Sequence, residues 1–267
     1  MNASASSVSN EGRSGPSRLA MLRRLTQSDR SWCVWKNADD AVAGIGDIDS
    51  AAPRAAWPRI TDEFRRWAAE SGAGPVIVCE HAPGSLVLVA CAAEDRARLL
   101  QLDVYQRVGR VVPAEALPPV AELDTLGFRR VRPGAEGVLL LLAATRRGGR
   151  PPRQPELLAR VAGLIRSDPA GAEAAADLLG SGRAPVRAAA RAVAEGGWRY
   201  GAMAALELVY ALQAARQPQE RLRWLRFRFG GRKRCPVLAA LANDRSISGD
   251  VDRWLEAVSS NHRIYND

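Results

Sequence analysis

An α/β fold followed by an all-helical C-terminal domain is predicted by three observations. Short apolar runs at 75–79, 86–90 and 99–105 have the length of strands and lie between turn residues. Trp57, Ile60, Phe64 and Trp67 recur at three- and four-residue spacing, the pattern of a helix that lays one face on a core. Beyond Gly148-Gly149-Arg150-Pro151-Pro152 the strand-like runs stop and alanine-rich, helix-favouring segments take over.

Taken in order, residues 1 to about 18 are rich in Ser, Asn and Gly with no apolar repeat, and a short helix is expected over 19–25. Residues 1–30 are therefore assigned to a disordered N-terminal segment. The run 32–36 reads as a first strand and 47–51 as a second, joined by a helical turn around 39–43, with Gly44 and Gly46 permitting the sharp return. Gly44-x-Gly46 is not a dinucleotide loop, because the third glycine is missing and a strand follows. After Pro53 comes the aromatic-striped helix, whose rings are core packing, ended by Gly72 and Gly74. Two strands then form a hairpin around His81-Ala82-Pro83-Gly84, with His81 at its tip, open to substrate but most simply an ordinary loop histidine. The strand 99–105 returns Asp103 to the side of the Asp47 strand; Arg107 and Arg110 follow, close enough to face a phosphate, although solvated arginines are the default. Residues 111–132 read as loop-rich, and Pro133 starts a helix running to Arg147. A first domain is thus expected over 31–147 and a basic helical one over 153–267. In the latter, Ser167-Asp168-Pro169 caps a helix over 170–179, and further helices are expected at 184–195, 199–215, 219–229, 235–242 and 251–258.

A chain of 267 residues with 47% hydrophobic content can bury a substantial core. The first 30 residues lack the apolar core of a signal peptide, and the longest strongly apolar run, 138–144, is too short to span a membrane, so a cytoplasmic protein is expected. Cys33, Cys79, Cys91 and Cys235 show no metal-binding spacing and are expected to be reduced thiols. Residues 1–145 carry 17 basic and 17 acidic side chains, so the whole net charge of +9 lies in residues 146–267. Its densest part is Arg221, Arg223, Arg226 and Arg228, interleaved with Leu222, Trp224, Leu225, Phe227 and Phe229, then Arg232, Lys233 and Arg234. Such a basic-aromatic helix suits RNA, DNA or another polyanion through counterion release, or an acidic membrane surface; an amphipathic bundle helix with solvated arginines is the simpler account.

The chemistry of the chain is concentrated in Gly46-Asp47-Ile48-Asp49-Ser50 and Leu102-Asp103-Val104. Alternate residues of a strand share a face, so Asp47 and Asp49 point the same way, and Asp103 joins them from a neighbouring strand. Carboxylates embedded among apolar residues repel one another and take up protons unless cations neutralise them, which makes the trio a candidate seat for Mg²⁺ or Mn²⁺. Lys36 is a second anomaly. Only two of the 38 basic residues are lysines, Lys36 and Lys233, so the lysine retained at 36 points to a need for point-charge geometry, with a chance surface lysine at a strand end as the plain alternative. A compact ammonium on a flexible stem reaches a single phosphate oxygen, whereas guanidinium is a broad planar fork.

Together Trp35-Lys36-Asn37, Gly46-Asp47-Ile48-Asp49 and Leu102-Asp103-Val104 resemble the nucleotidyltransferase-fold superfamily related to DNA polymerase β, most of all its uncharacterised bacterial branch with Lys-Gly before Gly-Asp-Ile-Asp. The resemblance covers roughly residues 31–145. It implies a mixed sheet with flanking helices and a two-metal nucleotidyl transfer. Asp47 and Asp49 would hold Mg²⁺ or Mn²⁺ against a nucleoside triphosphate such as ATP, Asp103 would share a metal and prepare an acceptor hydroxyl, and Lys36 and Asn37 would bind the phosphates. Asn37 departs from the pattern, standing where the family usually has Gly or Ser; Asn tolerates the left-handed backbone better than most residues. The acceptor is left open: RNA, a small molecule or a protein hydroxyl. Two other readings of the same residues are a catalytically inactive module that binds nucleotide, and a basic nucleic-acid-binding protein whose aspartates are structural.

Overall fold

The computed structural model describes residues 18–73, 76–92, 95–109, 111–144 and 149–215, together with Leu222. The chain begins with helix α1 (Arg18–Ser28), strand β1 (Cys33–Val34), the single-turn helix α2 (Ala38–Ala43) and strand β2 (Ile48–Ala51). Helix α3 (Trp57–Glu70) leads to three longer strands, β3 (Val76–Ala82), β4 (Ser85–Ala92) and β5 (Asp95–Tyr105). The short pairs β6 (Arg107–Val108) with β7 (Val112–Pro113) and β8 (Ala121–Leu123) with β9 (Arg129–Val131) precede helix α4 (Pro133–Ala144). Helices α5 (Pro155–Ser167), α6 (Pro169–Asp177), α7 (Arg183–Ala194) and α8 (Tyr200–Ala215) follow.

Seven strands pair in the order β3-β4-β5-β2-β1-β9-β8. The sheet is mixed: β5 with β2 and β1 with β9 are parallel, and the other neighbours are antiparallel. Because side chains alternate, Ile48, Leu100, Leu102, Val104, Leu86 and Leu88 line one face, where they meet Met21, Leu22 and Leu25 of α1 and Ile60, Phe64 and Trp67 of α3. Cys33, Trp35, Ala51 and Tyr105 line the other, against a core that runs through α4, α5, α6 and α7 to Met203 and Leu206 of α8. The turn between α4 and α5 therefore interrupts the chain but not the core. Among the described residues no helix is long and apolar enough to cross a membrane.

Several expectations are corrected. The assignment of the whole of 1–30 as a disordered segment fails for α1, which contains the short helix expected over 19–25: its Met21, Leu22 and Leu25 are fully buried and its Thr26 hydroxyl accepts from the Arg129 amide of β9 at 2.8 Å. The first strand is two residues long rather than five. His81 lies within β3, and the hairpin turn is Pro83-Gly84, with Gly84 at φ 82°. Residues 111–132 are not simply loop, since β9 adds to the main sheet by pairing with β1, a long-range contact that three-residue strands announce with no periodicity. Helix α5 went unpredicted; Gly163 and two arginines, Arg160 and Arg166, dilute the stripe of Val161, Ala162 and Ile165 that it buries. The helices expected at 170–179, 184–195 and 199–215 correspond to α6, α7 and α8. Those at 219–229, 235–242 and 251–258, and with them Arg221, Arg223, Arg226, Arg228, Arg232, Lys233 and Arg234, lie outside the described residues, as does Arg110.

Candidate metal centre

The parallel pairing of β2 with β5 builds the centre. Its register sets Asp49 directly opposite Asp103, so the two carboxyl groups share the face occupied further along by Ala51 and Tyr105. Asp47 precedes β2 by one residue and lies two before Asp49. One carboxylate oxygen from each of Asp47, Asp49 and Asp103 falls within 4.8 Å of the other two. Asp49 is 3% exposed and Asp103 8% exposed, while Asp47 opens to solvent. Main-chain bonds hold the frame: the Trp35 amide donates to the Asp49 carbonyl at 3.0 Å, and the buried Ser50 hydroxyl donates to the Asp103 carbonyl at 2.8 Å.

The two buried acids have different partners. Lys36 places its Nζ 3.0 Å from Asp49 Oδ2, with the ammonium 5.2 Å from the centre of the Trp35 ring. Burial still pushes the Asp49 carboxyl up to about 6; Lys36 pulls the other way, and the charges on Asp47 and Asp103 add to the rise. Asp103 instead receives neutral donors from its own strand. Gln101 Nε2 donates to Oδ1 at 3.0 Å and the Tyr105 hydroxyl to Oδ2 at 3.1 Å. Burial, followed by the Asp103 and Asp49 charges, raises the Tyr105 phenol well above its usual range, so it remains a donor. Its ring is fixed edge-on to Trp35 at 6.2 Å. Three hard oxygen ligands converging beside one lysine suit Mg²⁺ or Mn²⁺, and among the described residues they are the group that could hold such an ion.

Lys36 and Asn37 occupy the bend between β1 and α2. Asn37 is the one non-glycine residue with positive φ among those described, at 55°, and closes the N-terminus of α2. Gly44 and Gly46, at 81° and 68°, make the return into β2 that brings Asp47 back to the sheet. The Asn37 amide donates to Glu136 Oε1 of α4 at 3.1 Å, and the same oxygen accepts from Arg160 Nη2 of α5 at 3.0 Å. Arg130 approaches the second oxygen at 3.9 Å while donating to Asp39 at 2.8 Å. Glu136 is 2% exposed, and burial raises its carboxyl above the ordinary range despite these partners. The loop that presents Lys36 is thus clamped from behind by a buried, cation-paired carboxylate.

Of the residues predicted from sequence, Asp47, Asp49, Asp103 and Lys36 come together, and Asn37 adjoins them. Arg107 instead lies in β6 and donates to the Val111 carbonyl at 3.4 Å. Gln101 and Tyr105 were missed, although their positions two residues either side of Asp103 signal a shared strand face. Ser50, Glu136, Arg130 and Arg160 were missed with no signal to find them, since each acts across a long-range contact. No family model, curated protein or solved structure matches the chain.

Proposed function

We propose that the protein is a metal-dependent nucleotidyltransferase with a polymerase β-like catalytic unit, moving a nucleoside monophosphate from a nucleoside triphosphate to a hydroxyl acceptor. The observation that carries the reading is the convergence of Asp47, Asp49 and Asp103 from two adjacent strands, two of them buried, with Lys36 as the paired cation. Mg²⁺ or Mn²⁺ bound to these carboxylates supplies neutralisation of the charge on the attacking and leaving oxygens. Asp47, the most exposed of the three, is the carboxylate most accessible to an incoming nucleotide. Gln101 and Tyr105 fix both oxygens of Asp103, giving the carboxylate one orientation in which to act on the acceptor hydroxyl. Lys36 supplies the positive charge for the phosphates, and Asn37 holds the turn that presents it.

The test is incubation with each labelled nucleoside triphosphate, Mg²⁺ or Mn²⁺, and an extract of RNA and metabolites. Label transferred by the intact protein but not by Asp47→Ala/Asp49→Ala, or by Asp103→Ala, establishes the activity and sizes the acceptor. Transfer retained in Asp103→Ala overturns the assignment.

One observation favours a second reading, a non-catalytic module that binds nucleotide. The Asn37 amide, at the position where the family brings backbone amides to the phosphates, already donates to Glu136. Metal-dependent nucleotide binding without transfer to any acceptor would favour it.

A further inference from the structure

We propose that Lys36 is an exchangeable counter-ion of the acidic centre. Its ammonium neutralises Asp49 in the metal-free protein and is released towards the phosphates of the nucleotide when the carboxylates bind a divalent cation. This inference rests on the metal reading of the preceding subsection.

Three observations carry it. Lys36 Nζ sits 3.0 Å from Asp49 Oδ2, and one oxygen from each of Asp47, Asp49 and Asp103 lies within 4.8 Å of the other two, so a cation held by these carboxylates would compete with the ammonium for Asp49. The Lys36 side chain is about one-quarter exposed, against 4% for its Asp49 partner, so the lysine end of the pair is the one free to leave. The face of Trp35 offers the ammonium a second stabilising contact, at 5.2 Å from the ring centre, that does not depend on Asp49. The residue type agrees. A flexible four-carbon stem can swing a point charge from a carboxylate to a phosphate oxygen, which a planar guanidinium locked to a carboxylate does poorly, and lysine is kept here in a chain whose other basic residues, Lys233 apart, are all arginine. The exchange also follows the charge: one dication takes the three ionised carboxylates from −3 to −1, so they hold the ammonium far less strongly, whereas the triphosphate brings a larger negative charge.

Mn²⁺ binding to the full chain, stripped of metal and without nucleotide, is read from the electron paramagnetic resonance of free Mn²⁺, for wild type, Lys36→Met and Lys36→Arg, each checked for folding by its melting transition. A removed neighbouring charge is worth one unit or more in a site's ion affinity, so Lys36→Met should bind Mn²⁺ about tenfold tighter than wild type and Lys36→Arg no tighter. At saturating Mn²⁺, inorganic triphosphate should bind Lys36→Met about tenfold more weakly, since the released charge is gone. Unchanged or weaker Mn²⁺ binding in Lys36→Met overturns the exchange while leaving the metal centre standing. Tighter Mn²⁺ with unaltered triphosphate binding overturns the transfer to phosphate. Absence of Mn²⁺ binding in wild type and both variants overturns the metal reading itself, and this inference with it.

Discussion

Asp49 shows how a single residue can be costly to the fold it belongs to. A carboxyl whose native value lies near 6 rather than 3.8 is favoured in its protonated form, so the folded chain binds more protons than the unfolded chain between those values. Stability contributed at Asp49 is therefore greatest below about pH 4, falls as pH rises to about 6, and stays low above that. At 1.36 kcal/mol per unit the penalty is on the order of 3 kcal/mol. In chelator, Asp49→Asn should melt above wild type at pH 7 to 8, by an amount equivalent to about 1–3 kcal/mol, with the gain vanishing near pH 4. Thermal unfolding across that range checks it; an Asn variant less stable than wild type at pH 7 would show that the Lys36 pair outweighs burial. The same residue is the clearest case of what the sequence makes legible. Asp47, Asp49 and Asp103 stand out because acids flanked by Ile48, Leu102 and Val104 violate the ordinary pattern, and Lys36 stands out against the arginines. Glu136 does not: a glutamate in the first turn of a helix is commonplace, and only its 2% exposure and its bond to the Asn37 amide mark it.

Among elements, the contact of α4 with α5 and α6 is the most constrained. Asp168 closes α6 by accepting from the Gly171 amide at 2.9 Å, accepts from the Gly134 amide at 3.2 Å at the start of α4, and receives Arg132 on both oxygens. Burial alone would push its carboxyl up, but Arg132 and the two amides outweigh it and hold the group below the usual range. The helices approach so closely that a Cβ on Gly134 would lie 1.8 Å from the Asp168 carbonyl oxygen, and one on Gly137 would lie 2.9 Å from Ile165. Gly134→Ala should therefore cost more than about 3 kcal/mol, because the obstacle is backbone and cannot step aside. Asp168→Asn keeps the cap but loses the ion pair and should cost about 1–2 kcal/mol. Chemical denaturation of the two variants measures both, and a Gly134→Ala protein as stable as wild type would refute the packing. The sequence announced the cap, since Ser167-Asp168-Pro169 is a helix start on its face. The second helix that Asp168 serves is not local and carries no sequence mark.

For the whole molecule, the decisive feature is α4, apolar all round and buried along Val138, Leu139, Leu140, Leu141 and Leu142. A helix of that kind needs partners on every side: the sheet supplies one, and α5, α6 and α7 supply the rest. A chain ended after residue 147 would expose that surface. It should show no cooperative melting transition and should bind a hydrophobic dye, where the full chain does not; a sharp transition near that of the full chain would mean that the first unit folds alone. By itself the sequence determined the α/β class, the aromatic stripe of α3, the caps and glycine returns around α2 and α6, and the acids and the lysine that break the apolar pattern, because periodicity, turn chemistry and misplaced charge are local properties of the chain. Only the tertiary structure decided that β9 joins the sheet beside β1, that Asp49 stands opposite Asp103, and that Glu136 reaches the Asn37 loop. Each of these depends on strand register or helix docking between residues about 50 to 100 positions apart, and such pairings are selected by how the whole core packs rather than by any neighbouring residue.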